Sequence, residues 1–261
     1  MDNYIAQFRN LHINKLSVSF TWDDNFCRHM EFIAPLFTKY KKKCTFYINV
    51  GDENFTPQLI INYKQLCNRG FEIASHGYIH KSVKYMTEKE FISQIELSIK
   101  EMLMLFKVRP VTFAFPHHEY ESMHLKLAKQ YFIETRNTLN QSVRISLKSN
   151  TKLSDVIQKI NQSIYSNKNI VFSGHSVKVV SDEKNNYYDG YEPVSENLIN
   201  DILSYLKGIE KIEIVTLEQA AFKEYIKRDC NYTQTECVFS TANLTYLNQY
   251  GINFDRINSI L

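Results

Sequence analysis

At 261 residues, 44% of them apolar and 23% charged, the chain has the make-up of a soluble globular protein with room for one sizeable α/β domain. A net charge of +3 is too small to make nucleic acid or a membrane surface the main partner, and no stretch approaches the roughly 20 apolar residues of a membrane-spanning helix. The opening residues lack the apolar core of a signal peptide, and five cysteines without a CxxC pair read as reduced thiols, so a cytoplasmic location is expected.

The first predicted strand is KLSVSFT (15–21), in which Leu16, Val18 and Phe20 alternate with serines. RHMEFIAPLFTKYKK follows as a helix that Pro35 is expected to kink. CTFYINV (44–50) is the second strand, and a helix from about Pro57 to Asn68 stops at Arg69-Gly70, the glycine serving as its C-terminal cap. FEIASH (71–76) is the third strand. Thr87 and Glu90 form a capping box, and behind them Ile92, Ile95, Ile99, Met102, Leu103 and Phe106 recur at helical spacing, so 88–106 is a helix. VTFAF (111–115), YFIET (131–135), NIVFSG (169–174) and IEIVT (212–216) continue the strands, and Thr216 with Gln219 caps the closing helix. Strands alternating with helices argue for parallel pairing that closes as an irregular TIM-like (β/α) barrel of about seven strands. That barrel takes residues 1–228, leaving 229–261 as a C-terminal extension packed on it or trailing from it.

In parallel barrels the reactive groups gather at the C-terminal ends of the strands. Asp23 and Asp24 follow the first strand, His76 and His80 (SHGYIH) the third, PHHEY (116–120) the fourth, and His175 the strand NIVFSG. Taken singly, each has an ordinary reading: Asp-Asp as a turn, a histidine pair as surface, one histidine as a structural hydrogen-bonding residue. Together they fall at one pole of one architecture, and two histidines with a carboxylate suffice for Zn²⁺ while leaving positions open for water. His117, His118 and Glu119 are adjacent, so their side chains diverge and do not read as a second metal site.

The series SFTWDDNF, FEIASHGYIH, VTFAFPHHEY and NIVFSGH resembles the polysaccharide deacetylase family, the NodB-homology domains of carbohydrate esterase family 4. The family's first motif is Thr-Phe-Asp-Asp-Gly and its second His-Ser/Thr-x-x-His, and the likeness runs roughly from residue 15 to 228. It implies Asp24, His76 and His80 as metal ligands, Asp23 as general base and His175 as general acid. Pro116 and His117 would wall the groove, with a backbone N–H near His117 helping to hold the oxyanion. Trp22 and Arg136 are further candidates at the substrate, Trp22 also reading as packing. The implied cofactor is Zn²⁺ or another divalent ion such as Co²⁺ or Ni²⁺, since nitrogen and oxygen ligands accept all three. The implied activity is removal of N-acetyl groups from amino sugars of a polysaccharide, glycan or glycolipid. Two alternatives stand beside it: hydrolysis of another non-peptide C–N bond (imide, ureide or formamide), and an inactive glycan-binding relative. Four departures bear on the outcome. Asn25 replaces the usual Gly, tolerable because Asn visits left-handed conformations; Ala114 stands where many members carry a base-orienting Arg; Ser173 replaces a usual Leu; and the fourth motif, Asp with a downstream Trp, is absent, with ETRNT near its place.

Overall fold

Strand β1 (Leu16–Asp23) is buried along its whole length, and its two faces do different work. Leu16, Val18, Phe20 and Trp22 join the main apolar core with residues of the surrounding helices. Ser17, Ser19, Thr21 and Asp23 form the other face, which is small and polar yet buried. Ser19 Oγ donates there to the Thr216 carbonyl at 3.2 Å and Thr21 Oγ1 to the Phe172 carbonyl at 2.8 Å, whereas Ser17 Oγ meets no hydrogen-bond partner among the described residues. Because side chains alternate along a strand, the same period of two that sends Trp22 outward beneath the helices turns Asp23 inward.

The computed structural model describes residues 11–139, 142–178, 193–229, 231–233 and 236–238. The readings of the N-terminus and of most of the 229–261 extension lie outside them. Around β1 run β2 (Thr45–Ile48), β3 (Glu72–Ser75), β4 (Thr112–Phe113), β5 (Glu134–Thr135), β6 (Ser142–Ser146) and β7 (Asn169–Gly174). Two short strands, β8 (Val177–Lys178) and β9 (Val194–Ser195), pair with each other, and β10 (Ile212–Ile214) returns to β1. The path β5-β4-β3-β2-β1-β7-β6 is parallel at every pair. β5 and β6 are its two ends, so the sheet curls as a half-barrel, the (β/α) arrangement expected from the alternation. β11 (Asn231–Thr233) and β12 (Glu236–Val238) form a separate antiparallel pair.

Seven helices accompany the described strands: α1 (Ala34–Lys39), α2 (Pro57–Asn68), α3 (Glu88–Phe106), α4 (Ser122–Tyr131), α5 (Leu153–Tyr165), α6 (Glu196–Lys207) and α7 (Leu217–Asp229). The caps fall where expected. Gly70 has φ 82°, Thr87 and Glu90 close a reciprocal capping box, and Thr216 and Gln219 exchange bonds at 3.0 and 3.3 Å. The expected kink at Pro35 takes the form of a π-helical turn, His29–Ile33, running into α1. Proline offers no N–H to the carbonyl of residue 31, and the Ala34 N–H reaches back to His29 instead. No helix of the described residues is long and apolar enough to cross a membrane.

Two expectations change. YFIET was read as one strand, but Tyr131 ends α4 and only Glu134–Thr135 pair with β4. β6 has no counterpart in the sequence reading, because among its five residues only Ile145 is buried.

Where β7 ends, Gly174 lies against the outward face of Trp22. A Cβ there would meet Trp22 Cζ3 at 2.8 Å, and the ring, fully buried, has no room to withdraw. Gly174→Ala is expected to cost roughly 1–3 kcal/mol. Trp22 is the chain's one tryptophan, so its fluorescence in a urea titration reports the lowered midpoint directly.

Candidate active site

The C-terminal ends of β1, β3, β5 and β7 bring Asp23, Asp24, His76, Arg136 and His175 to one mouth, and the loop after β3 adds His80. His80 Nε2 is 3.2 Å and His76 Nε2 3.6 Å from the same oxygen, Asp24 Oδ1. One ligand atom from each of these three residues lies within 4.8 Å of the others, the only such group among the described residues. Asp24 reaches this point with φ 69°, a left-handed conformation that Asp adopts more readily than most residues. Asn25 is not left-handed. Its amide pairs with the backbone of Asn49, donating at 2.9 Å and accepting at 3.2 Å, and Asn49 Nδ2 donates to the His76 carbonyl at 2.5 Å. The departure from Gly is therefore a side-chain brace across three loops rather than a backbone device.

The donor set suits a divalent ion. His76 Nδ1 is 2.7 Å from the Ala114 carbonyl, which can only accept, so Nδ1 carries the hydrogen and Nε2 presents a lone pair toward Asp24. Burial pushes the His76 imidazole down to about 3, and burial with the nearby His117 lowers His80. Both rings are thus neutral, the form that binds metal.

Asp23 is separate from this group. Its carboxylate pairs with the buried Arg136 guanidinium. Burial alone would raise its pKa, but Arg136, with His76 and His175 adding to it, holds it well below the usual carboxylate range. Arg136 is itself enclosed, with Thr21 Oγ1 at 3.4 Å, the Tyr47 ring centre at 5.3 Å and His118 ring nitrogens at 3.3 and 3.4 Å. Arg136 follows β5 directly, and its backbone N–H donates to the Phe113 carbonyl at 2.8 Å, one residue before Ala114.

His175 Nε2 sits 4.0 Å from Asp23 Oδ2 and 3.9 Å from Asp24 Oδ2, its side chain 28% exposed. Burial lowers its pKa, opposed by Asp23 and helped by Arg136 and Lys148. Pro116–His118 form a tight turn in which His117 and His118 both take positive φ, 55° and 57°. Their side chains diverge as expected: His117 packs on His80 with ring centres 4.3 Å apart, His118 faces Arg136, and Glu119 accepts from Ser82. Trp22, read above both as a substrate candidate and as packing, has no exposed surface and packs the core. Asn49 went unnoticed in the sequence, and His118 was weighed there only as a metal ligand, since nothing in local spacing marks a residue that acts through another.

The buried neutral imidazoles carry a pH signature. His29 is held down to about 4 by burial and His76 to about 3, against 6.5 when unfolded. The unfolded chain then binds more protons than the fold as pH drops below about 6.5, so stability must fall with pH across that window. Urea midpoints of the metal-free protein are expected to decline steadily from pH 7 to pH 5.

Comparison with known proteins decides the family. A family model described as polysaccharide deacetylase matches residues 12–135. Those residues belong to the polysaccharide deacetylase family. They include the three clustered groups Asp24, His76 and His80, together with Asp23. No curated protein sequence matches the chain. Solved structures with this fold include the Bc1960 peptidoglycan N-acetylglucosamine deacetylase, at 20% identity and TM-score 0.56, over 80% of this chain and 89% of that one. A family 4 acetyl xylan esterase from Clostridium thermocellum in complex with cobalt matches at 15% identity and TM-score 0.55, covering 78% and 89%. BA3943 from Bacillus anthracis, a family 4 pseudoenzyme, matches at 15% and 0.57, covering 80% and 66%. At these identities the likeness establishes the fold alone, and the same fold includes proteins named as pseudoenzymes.

Proposed function

We propose that the chain is a metal-dependent hydrolase that removes N-acetyl groups from amino sugars of a glycan, polysaccharide or glycolipid. In this reading residues 1–228 form the deacetylase unit and 229–261 an extension. The observation that carries it is the division of two adjacent aspartates: Asp24 joins His76 and His80, while Asp23 is held ionised by Arg136.

Asp24, His76 and His80 would hold Zn²⁺ or a similar ion, which supplies a water acidified to a pKa of about 7 and a polarised acetyl carbonyl. Asp23 is the base that takes a proton from the attacking water. Its low basicity at rest keeps it unprotonated and ready, and Arg136 fixes its direction. His175, within 4.0 Å of both aspartates and open to the mouth, gives a proton to the departing amine. In the tight turn at Pro116–His118 the N–H groups of His118 and Glu119 are spent on the Phe115 and Pro116 carbonyls, so the N–H of His117 is the one that would meet the developing oxyanion.

The missing Asp–Trp motif and the field of Arg136 and Lys148 on His175 favour a second reading, a glycan binder with little turnover. The experiment is a panel of acetylated chito-oligomers, acetyl xylan and small formamides or imides incubated with the zinc-loaded protein. Acetate and free amine released in equal amounts from the chito-oligomers support the proposal. Release only from xylan or only from the small amides moves the activity to an ester or another C–N bond, and binding without release supports the second reading.

A further inference from the structure

The segment that carries His175 is held from one side by two consecutive residues with no part in the proposed chemistry. His29 opens the π-helical turn and is fully buried. Its Nε2 lies 2.8 Å from the carbonyl oxygen of His175. That oxygen only accepts, so Nε2 carries the hydrogen and Nδ1 is left as an acceptor for the Tyr63 hydroxyl at 2.9 Å. The same hydroxyl oxygen is 3.3 Å from the carbonyl of Asp24. Next to it, Arg28 Nη1 donates to the Val177 carbonyl at 3.1 Å. Residues 28 and 29 therefore grip the turn leaving β7 at residues 175 and 177; the one hydroxyl proton of Tyr63 goes to Nδ1, so its oxygen only lies beside the Asp24 carbonyl and does not bond to it.

A buried histidine needs two partners wherever it sits, and most find them in the core scaffold. Here one partner is the backbone of the segment carrying the proposed acid, and the other, Tyr63, stands beside the segment carrying a proposed metal ligand. The rings of Phe26, Phe46 and Tyr63 enclose the imidazole at 5.8, 4.9 and 6.3 Å between centres, so water has no ready place to substitute for a lost bond. A π-helical turn at the start of a helix, often found at functional sites, brings the imidazole into this gap.

We infer that His29, seconded by Arg28, is a positioning residue that sets the orientation of His175 relative to Asp24. This rests on the reading of His175 as the proton donor to the leaving group. It follows that loss of the grip impairs protonation of the leaving group and not attack on the carbonyl. An amine must be protonated to leave, whereas the phenol of an activated aryl acetate departs unaided.

The test compares zinc-loaded His29→Asn and His29→Gln on an N-acetylated chito-oligomer and on 4-nitrophenyl acetate. Asn keeps a group near the Nδ1 position but falls short of the His175 carbonyl, while the Gln amide nitrogen can occupy the Nε2 position. His29→Asn is expected to lose roughly ten- to a hundred-fold in kcat on the oligomer with KM and aryl acetate turnover unchanged, and His29→Gln to recover most of it. Equal losses on both substrates, no recovery in His29→Gln, or no loss at all would overturn the inference. If His29→Asn does not fold, Arg28→Met cuts the second contact and should give the same substrate-selective loss; an unselective one overturns it equally. Absence of turnover in the unmutated protein overturns the proposed activity instead. The imidazole NMR signals of His175 then decide the inference in the metal-free protein: they should split or broaden in His29→Asn and stay single in His29→Gln, and unchanged signals in both would contradict it.

Discussion

Replacing Arg136 by methionine is expected to destabilise the protein by about 3–5 kcal/mol, because it strands the Asp23 carboxylate without its counter-ion in a buried position. The sign with pH is specific. In the unmutated protein Asp23 is held below its ordinary pKa, so its contribution is present at neutral pH and lost only in strong acid. Without Arg136 burial dominates and the carboxyl rises above its unfolded value. The defect should then be largest at neutral pH and shrink as pH falls and Asp23 takes up a proton. Adding Asp23→Asn to Arg136→Met removes the stranded charge and should recover part of the loss, a coupling that a double-mutant cycle measures. A defect that neither shrinks in acid nor responds to the second substitution would mean that Arg136 stabilises through its contacts with Tyr47 and His118 and not through Asp23.

The second large effect is on turnover. Asp23→Asn keeps the shape of the side chain and removes its ability to take a proton. Turnover should fall about 10²–10⁴-fold. Metal affinity should be unchanged, since Asp23 does not belong to the group formed by Asp24, His76 and His80. Zinc binding by calorimetry beside acetate release on the same preparation separates the two roles. A variant that binds zinc normally and still turns over at the original rate would remove Asp23 from the mechanism.

How much of this was legible in the sequence depended on how local each cause is. The caps at Gly70, Thr87 and Thr216 were readable because each is settled within four residues. The strand–helix alternation carried the half-barrel, and with it the placing of Asp24, His76 and His80 at one mouth. β6 was not readable, since a strand at the end of the sheet buries one residue in five and has no alternation to display. The partnership of Asp23 with Arg136 depends on β5 and β1 curling toward each other across the mouth, which no spacing along the chain encodes. Trp22 is the instructive case. The alternation in β1 already implied that Trp22 and Asp23 face opposite ways, so a residue neighbouring the site in sequence is remote from its open side.

If Asp24, His76 and His80 hold a divalent metal, elemental analysis of the purified protein after zinc loading and dialysis finds one zinc per chain, lost in His76→Ala and in His80→Ala and retained in Asp23→Asn. Protein that folds but binds no zinc, or that keeps it after both histidines are replaced, would contradict it.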